Sequence, residues 1–239
     1  MKSSESDKLR EMIINKAKEF GATLAGIGRV VDLKTTPTYE KYDRVPYLDF
    51  FEALPEWPSD AESILVFALL HPRTEPVLDW WDSKPGGTPG NRVLIQIQNK
   101  MEDWLREEMD IKAYSLAYHL EKGGVFLKDA AVCASLGVIG KNNLLITPEY
   151  GPDVRLRASL LDVALDPSEP LDFDPCAGCD KPCFQACPQD AFRSGSFERK
   201  YCRIQMRKDQ ENARSLPHDP KTVYVRWCRA CELSCPIGR

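Results

Sequence analysis

The residues best equipped for chemistry lie in the last quarter of the chain, where eight of nine cysteines fall into two spaced groups. The first reads Cys176-x2-Cys179-x3-Cys183-x3-Cys187-Pro188. The second reads Cys228-x2-Cys231-x3-Cys235-Pro236, with a lone Cys202 ahead of it. A two-residue gap turns both sulfurs toward one centre, whereas a Cys-Pro ending after a three-residue gap directs the last thiolate away from its own loop. In two-cluster ferredoxins that last cysteine ligates the other motif's cluster. The spacing therefore assigns Cys176, Cys179, Cys183 and Cys235 to one [4Fe–4S] cluster, and Cys187, Cys202, Cys228 and Cys231 to a second. Structural zinc on paired Cys-x2-Cys knuckles is the alternative, and the two Cys-Pro endings weigh against it. Cys133 stands outside both motifs and reads as a packed core thiol.

The elements that must position these thiols follow from hydrophobic periodicity. Leu9, Met12, Ile13, Ala17 and Phe20 mark a helix over 7–20 closed by Gly21, and Ala22–Ile27 reads as a strand. Gly26-Ile-Gly28 lacks the third glycine and the following helix of a dinucleotide fingerprint. Residues 32–60 read as a long surface excursion, Ser63–Leu70 as a buried strand, and 71–90 as a proline-rich loop. In that loop Trp80-Trp81 either line a pocket or pack beneath it. Leu94, Ile97, Met101, Trp104 and Leu105 mark a second helix, 111–117 a strand, and Leu127–Leu136 a third helix stopped by Gly137. Leu144–Thr147 and Val154–Val163 read as strands about a turn at 148–151. Arg155 and Arg157 alternate along that last strand and share one face, where solvation is the default.

These elements predict an α+β fold: an α/β domain over 1–165, a proline- and acid-rich linker over 166–174, and a double-cluster module over 175–239. Some 165 residues ahead of the clusters are far more than an electron carrier requires, and are enough to form a pocket for another cofactor or a substrate. A formal charge of −4 gives no electrostatic case for nonspecific binding to nucleic acid or an anionic membrane. A charged N-terminus, the absence of long apolar runs and clustered cysteines predict a cytoplasmic protein. His71, His119 and His218 have no metal-triad spacing. Arg199, Lys200, Arg203, Arg207 and Lys208 form a basic helix face beside Cys202. It reads as a solvated face by default, or as one that offsets cluster charge or docks an acidic electron donor.

Ala134-Ser-Leu-Gly-Val-Ile-Gly-Lys-Asn142, Thr147-Pro-Glu-Tyr-Gly151 and the cysteine block together resemble the epoxyqueuosine reductase family and, more distantly, the reductive dehalogenases. The similarity runs from about Ser63 to Ile237, including the isolated Cys202. Ser135 stands where the family has glycine, and the Cys179–Cys183 gap is one residue longer than usual. The resemblance implies a nitroreductase-like domain that binds cobalamin without a protein histidine, followed by a ferredoxin-like module with two [4Fe–4S] clusters. Electrons would enter from a ferredoxin or flavodoxin and pass through the clusters to cobalamin, then to a small-molecule or modified-nucleoside substrate. Lys141 and Asn142 match the family's Gly-Lys-Asn and are the expected cofactor contacts. Glu121, in place of the family's acidic loop residue, and Tyr150 are the candidate proton donors. The chain stops four residues after Cys235, short of the helical-repeat extension of tRNA-acting members, which argues against a tRNA substrate. The competing reading is an electron-transfer or corrinoid-activating protein with no substrate chemistry of its own.

Overall fold

The computed structural model describes residues 5–36, 57–116 and 126–238. Helix α1 (Glu5–Glu19) buries Ile13, Ile14 and Ala17. It closes on Gly21 at φ 112°, where the amides of Gly21 and Ala22 return to the carbonyls of Lys18 and Ala17. Strand β1 (Leu24–Arg29) and the short helix α2 (Val30–Lys34) follow. Strand β2 (Ser63–Leu70) occupies the residues its apolar run predicts and pairs antiparallel with β1. Helix α3 (Pro89–Glu108), strand β3 (Ala113–Ser115) and helix α4 (Leu127–Cys133) come next. The short strands β4 (Val138–Ile139) and β5 (Leu145–Ile146) pair with each other. Strand β6 (Val154–Leu161) then completes a four-stranded sheet of order β1-β2-β6-β3.

Burial explains the patterns. The central strands β2 and β6 are almost entirely buried, and α1 and α3 supply Ile13, Ala17, Leu94, Ile97, Met101 and Leu105 to one core with Ile27, Leu65, Phe67 and Leu161. Full burial of each large apolar side chain contributes about 1.5–3 kcal/mol. Residues 166–172 are tied down, since Ile27 and Ser168 exchange hydrogen bonds. Beyond them lie helices α5 (Pro182–Gln185) and α6 (Arg199–Glu211), the hairpin β7 (Arg214–Leu216) and β8 (Asp219–Tyr224), and helix α7 (Ala230–Leu233). The hairpin has no counterpart in the sequence reading. The chain packs as two compact units, each assembled from three segments: 1–69, 94–138 and 156–172 in one, and 70–93, 139–155 and 173–239 in the other.

Two local outcomes differ from expectation. The third helix ends at Cys133, not at Gly137, because Ser135 takes a left-handed φ of 58°. The amides of Ser135 and Leu136 return to the carbonyls of Val132 and Ala131, an arrangement that favours glycine at the left-handed position. Glycine is what the resembling family carries there; here Ser135 Oγ donates to the Ser168 carbonyl at 3.1 Å. Gly26 and Gly28 exist for close packing. A Cβ at Gly26 would lie 2.2 Å from the Ala134 carbonyl, and one at Gly28 would lie 2.9 Å from the Cys133 backbone. Gly26→Ala should therefore cost about 1–3 kcal/mol by overpacking, a drop of about 2–4 °C in melting temperature per kcal/mol at this size. Ser135→Gly should stay within about 1 kcal/mol, because relief of the left-handed strain offsets the lost hydrogen bond. Thermal unfolding of both variants checks this pair.

Candidate metal centres

The eight motif cysteines all lie in the second unit, and the fold sorts them into two sets of four. Cys176, Cys179, Cys183 and Cys235 line one small cavity together with Lys141, Asn142, Ile146 and Ile237. In the other set, burial pushes the Cys231 thiol up to about 12, and Cys228, Cys202 and Cys187 add to that shift. Cys202 is raised first by burial and then by Cys228 and Cys187. Cys235 is raised by burial and by Cys176 and Cys179. Each Cys-Pro thiol thus lies with the other motif's cysteines. Among the described residues, no group of three or more His, Cys, Asp or Glu could hold a single metal ion. The donor chemistry is four thiols to a set, which fits a [4Fe–4S] cubane.

Local hydrogen bonds fix the loops that carry these thiols. Asp174 Oδ1 accepts from the amides of Cys176 and Ala177, each at 3.1 Å. The Lys141 amide donates to Cys176 Sγ at 3.4 Å. The longer Cys179–Cys183 loop turns through Lys181 at φ 55°, and Pro182 then opens α5. Around the second set, Gln189 donates to Gln205 at 2.9 Å and Gln205 to Asp209 at 2.8 Å, while Asp209 Oδ2 accepts from the Cys228 amide at 2.7 Å. This relay joins the segment after Cys187, the helix bearing Cys202 and the loop bearing Cys228.

A partly buried ion network braces the second motif. Asp79 accepts from His71 Nδ1 at 2.8 Å, pairs with Arg155 Nε at 2.8 Å and also meets Arg229. Arg155 reaches Glu232 at 3.0 Å, and Arg229 meets the same carboxylate. Arg73 pairs with Asp153 at 2.6 Å and donates to the Leu233 carbonyl at 2.9 Å. Asp79 Oδ2 and Asp153 Oδ1 accept no hydrogen bond of good geometry, yet both lie within ion-pair reach of Arg229. His71 is fully buried, and a Cβ on Gly90 would lie 2.1 Å from its ring. Burial raises the Asp79 pKa, but the hydrogen bond from His71 and the charges of Arg155 and Arg229 outweigh it, so the net shift is downward.

The structure places the sequence candidates unevenly. Lys141 and Asn142 both lie beside the first thiol set. Asn142 is buried: its Oδ1 accepts from the Leu144 amide at 3.2 Å, and its Nδ2 donates to the Cys231 carbonyl at 3.5 Å. The left-handed residue at this turn is its neighbour Asn143, at φ 61°. Tyr150 is half-buried in the turn bridged by Thr147 and Gly151, with its amide donating to Thr147 Oγ1. Glu121 lies outside the described residues. Cys133 belongs to the first unit, where burial lifts its thiol to about 11. Trp80 packs edge-on to Tyr224 under the Arg226 guanidinium, whereas Trp81 is exposed. Arg155 and Arg157 are not simply solvated: Arg155 joins the ion network, and Arg157 donates to Gln98 at 2.6 Å. Sequence reasoning missed Arg73, Asp79, Asp153 and Glu232. The available signal was the pair of charges, Arg229 and Glu232, inside the second cysteine motif.

Comparison with known proteins adds context to this geometry. No protein-family model matches the chain. The epoxyqueuosine reductase of Listeria monocytogenes is 34% identical over 202 residues, covering 75% of this chain and 49% of that protein. The chain belongs to the epoxyqueuosine reductase-like family. It spans about half the length of the curated relatives it matches. A crystal structure of epoxyqueuosine reductase with a modified tRNA-Tyr stem loop superposes with a TM-score of 0.69 at 21% identity, over 98% of this chain and 66% of that one. A reductive dehalogenase structure, described in connection with B12-dependent dehalogenation, superposes at 0.57 and 19% identity over 80% of this chain and 26% of that one. These structural likenesses establish a shared mixed α/β fold.

The ion network makes a pH-dependent prediction for this family member. Because the folded pKa of Asp79 lies below its unfolded value, its stabilisation is full above the unfolded carboxylate pKa of about 4. It is lost as pH falls through the folded value. Asp79→Asn removes one of the two carboxylates shared by the half-buried Arg155 and Arg229, leaving Glu232 to both, and should destabilise the chain by about 1.5–3 kcal/mol at pH 7. Urea titrations should show that deficit shrinking below pH ~4; a deficit unchanged by pH would contradict the assignment.

Proposed function

We propose that the chain is a cobalamin-dependent iron–sulfur reductase of the epoxyqueuosine reductase type, acting on a small-molecule or modified-nucleoside substrate. The observation that carries this reading is the division of eight thiols into two crossed sets of four, in a chain that resembles epoxyqueuosine reductases and B12-dependent dehalogenases. The proposed architecture is a nitroreductase-like, cobalamin-binding region followed by a ferredoxin-like double [4Fe–4S] module. When bound, the clusters supply one-electron storage, and cobalamin supplies a strongly reducing, nucleophilic cobalt centre. A ferredoxin or flavodoxin is the proposed donor.

The chain's own residues have definable tasks in this reading. The Lys141 amide donates to Cys176 Sγ, and such N–H···S bonds tune the potential of a thiolate-bound cluster. Asn142 ties the carbonyl of Cys231 to the turn bearing Lys141, so cysteines of both sets are held to one segment. The described histidines suit a cobalamin held without a protein ligand. His71 is sealed against Asp79 and Gly90, and His218 lies exposed between β7 and β8. Tyr150 or Glu121 is the proposed source of a proton for the substrate.

Anaerobically reconstituted protein should contain about eight irons and eight sulfides per chain, and a titration with cob(II)alamin should give a saturable spectral change and cobalt retained on gel filtration. Lys141→Ala should weaken that binding. Zinc, or about four irons, would contradict the double-cluster assignment. Full iron with no cobalamin bound would replace the reductase by an electron-transfer or corrinoid-activating protein.

A further inference from the structure

Helix α6 is an uneven surface for a chain of formal charge −4. It carries five basic residues, Arg199, Lys200, Arg203, Arg207 and Lys208, against Asp209 and Glu211. One of those acids is already engaged, since Asp209 faces Gln205 and the Cys228 amide. All five cations are exposed, as are Ile204 at 40% and Met206 at 41%. No side chain of the helix is buried, and the partly covered residues Tyr201, Cys202, Gln205 and Asp209 recur at helical spacing along one side. That side carries a thiol of the second set. Cys228 of the same set is itself exposed.

We infer that the exposed face of α6 is the docking surface for an acidic one-electron carrier protein. This inference rests on the iron–sulfur reading above and adds the place of electron entry. Charge complementarity selects an acidic partner, because a local cationic face attracts an anionic surface, and two such faces repel each other. The two exposed apolar side chains among the cations suit a protein surface better than a sugar–phosphate backbone. Position supplies the redox function. A carrier seated on this helix lies about one helix diameter, about 10 Å, from the covered side that bears Cys202. In the transfer, one electron leaves the carrier, which is oxidised by one electron. The site held by Cys187, Cys202, Cys228 and Cys231 is reduced by one, with no bond made or broken and no proton moved.

The test uses anaerobically reconstituted full chain and a reduced acidic [2Fe–2S] ferredoxin as the probe, followed by stopped-flow bleaching. The second-order rate should fall steeply as salt rises, and should drop tenfold or more in Arg207→Glu/Lys208→Glu at low salt. The neutralised pair Arg207→Gln/Lys208→Gln should fall between that variant and the original chain. Photoreduction with uncharged deazariboflavin should proceed equally in all three proteins, which separates docking from cluster assembly. Failure of deazariboflavin to bleach the original chain would overturn the iron–sulfur reading itself. Equal ferredoxin rates in all three would overturn the docking surface alone. So would loss of binding to a short RNA stem loop in the charge-reversed variant with its ferredoxin rate unchanged, which would assign the face to nucleic acid.

Discussion

Each cysteine motif ends with a thiol that sits among the other motif's cysteines, and this crossing sets the terms for much of the second unit. Neither set of four can assemble from one stretch of chain. Cys187 must meet Cys202, Cys228 and Cys231, while Cys235 must return to Cys176, Cys179 and Cys183. The loops between them are short in regular structure, so backbone hydrogen bonding alone cannot hold that arrangement. The Gln189–Gln205–Asp209 relay and the Asp174 turn supply what the short helices do not. Asn142 adds a link between the segment at the first set and the carbonyl of Cys231.

The ion network answers the same constraint with charge. Burying carboxylates is unfavourable unless each is paired and hydrogen-bonded. Here the planar fork of arginine is used three times: Arg155 spans Asp79 and Glu232, Arg229 spans the same pair, and Arg73 joins Asp153 to backbone carbonyls of α7. Lysine could not match those paired contacts, since its ammonium is a single point charge. Glu232 lies immediately after Cys231, so fixing its carboxylate also fixes the turn of α7 from which the Cys231 thiol projects.

What the sequence makes legible is local. Cysteine spacing predicts the two thiol sets because ligand direction is decided within three or four residues, and the run Ser63–Leu70 is read correctly because its length suits a buried strand and falls short of a buried helix. Residues acting across long separations escape such reading. Asp79, Asp153, Arg155 and Glu232 are ordinary surface residue types until the fold brings them together. The alternating Arg155 and Arg157 look solvated for the same reason. The end of α4 is misjudged because a serine occupies the left-handed position where glycine would have signalled the stop. The β7–β8 hairpin is missed because its exposed residues lack an apolar alternation.

The central claim is that the crossed grouping is also the crossed ligation. Electron paramagnetic resonance of dithionite-reduced single variants tests it most directly. Cys187→Ala should abolish or alter the signal that Cys202→Ala alters, while leaving the signal that Cys176→Ala removes. Cys235→Ala should do the reverse. If Cys187→Ala instead removes the same signal as Cys176→Ala, each motif closes on its own cluster, and the account given for this unit is wrong.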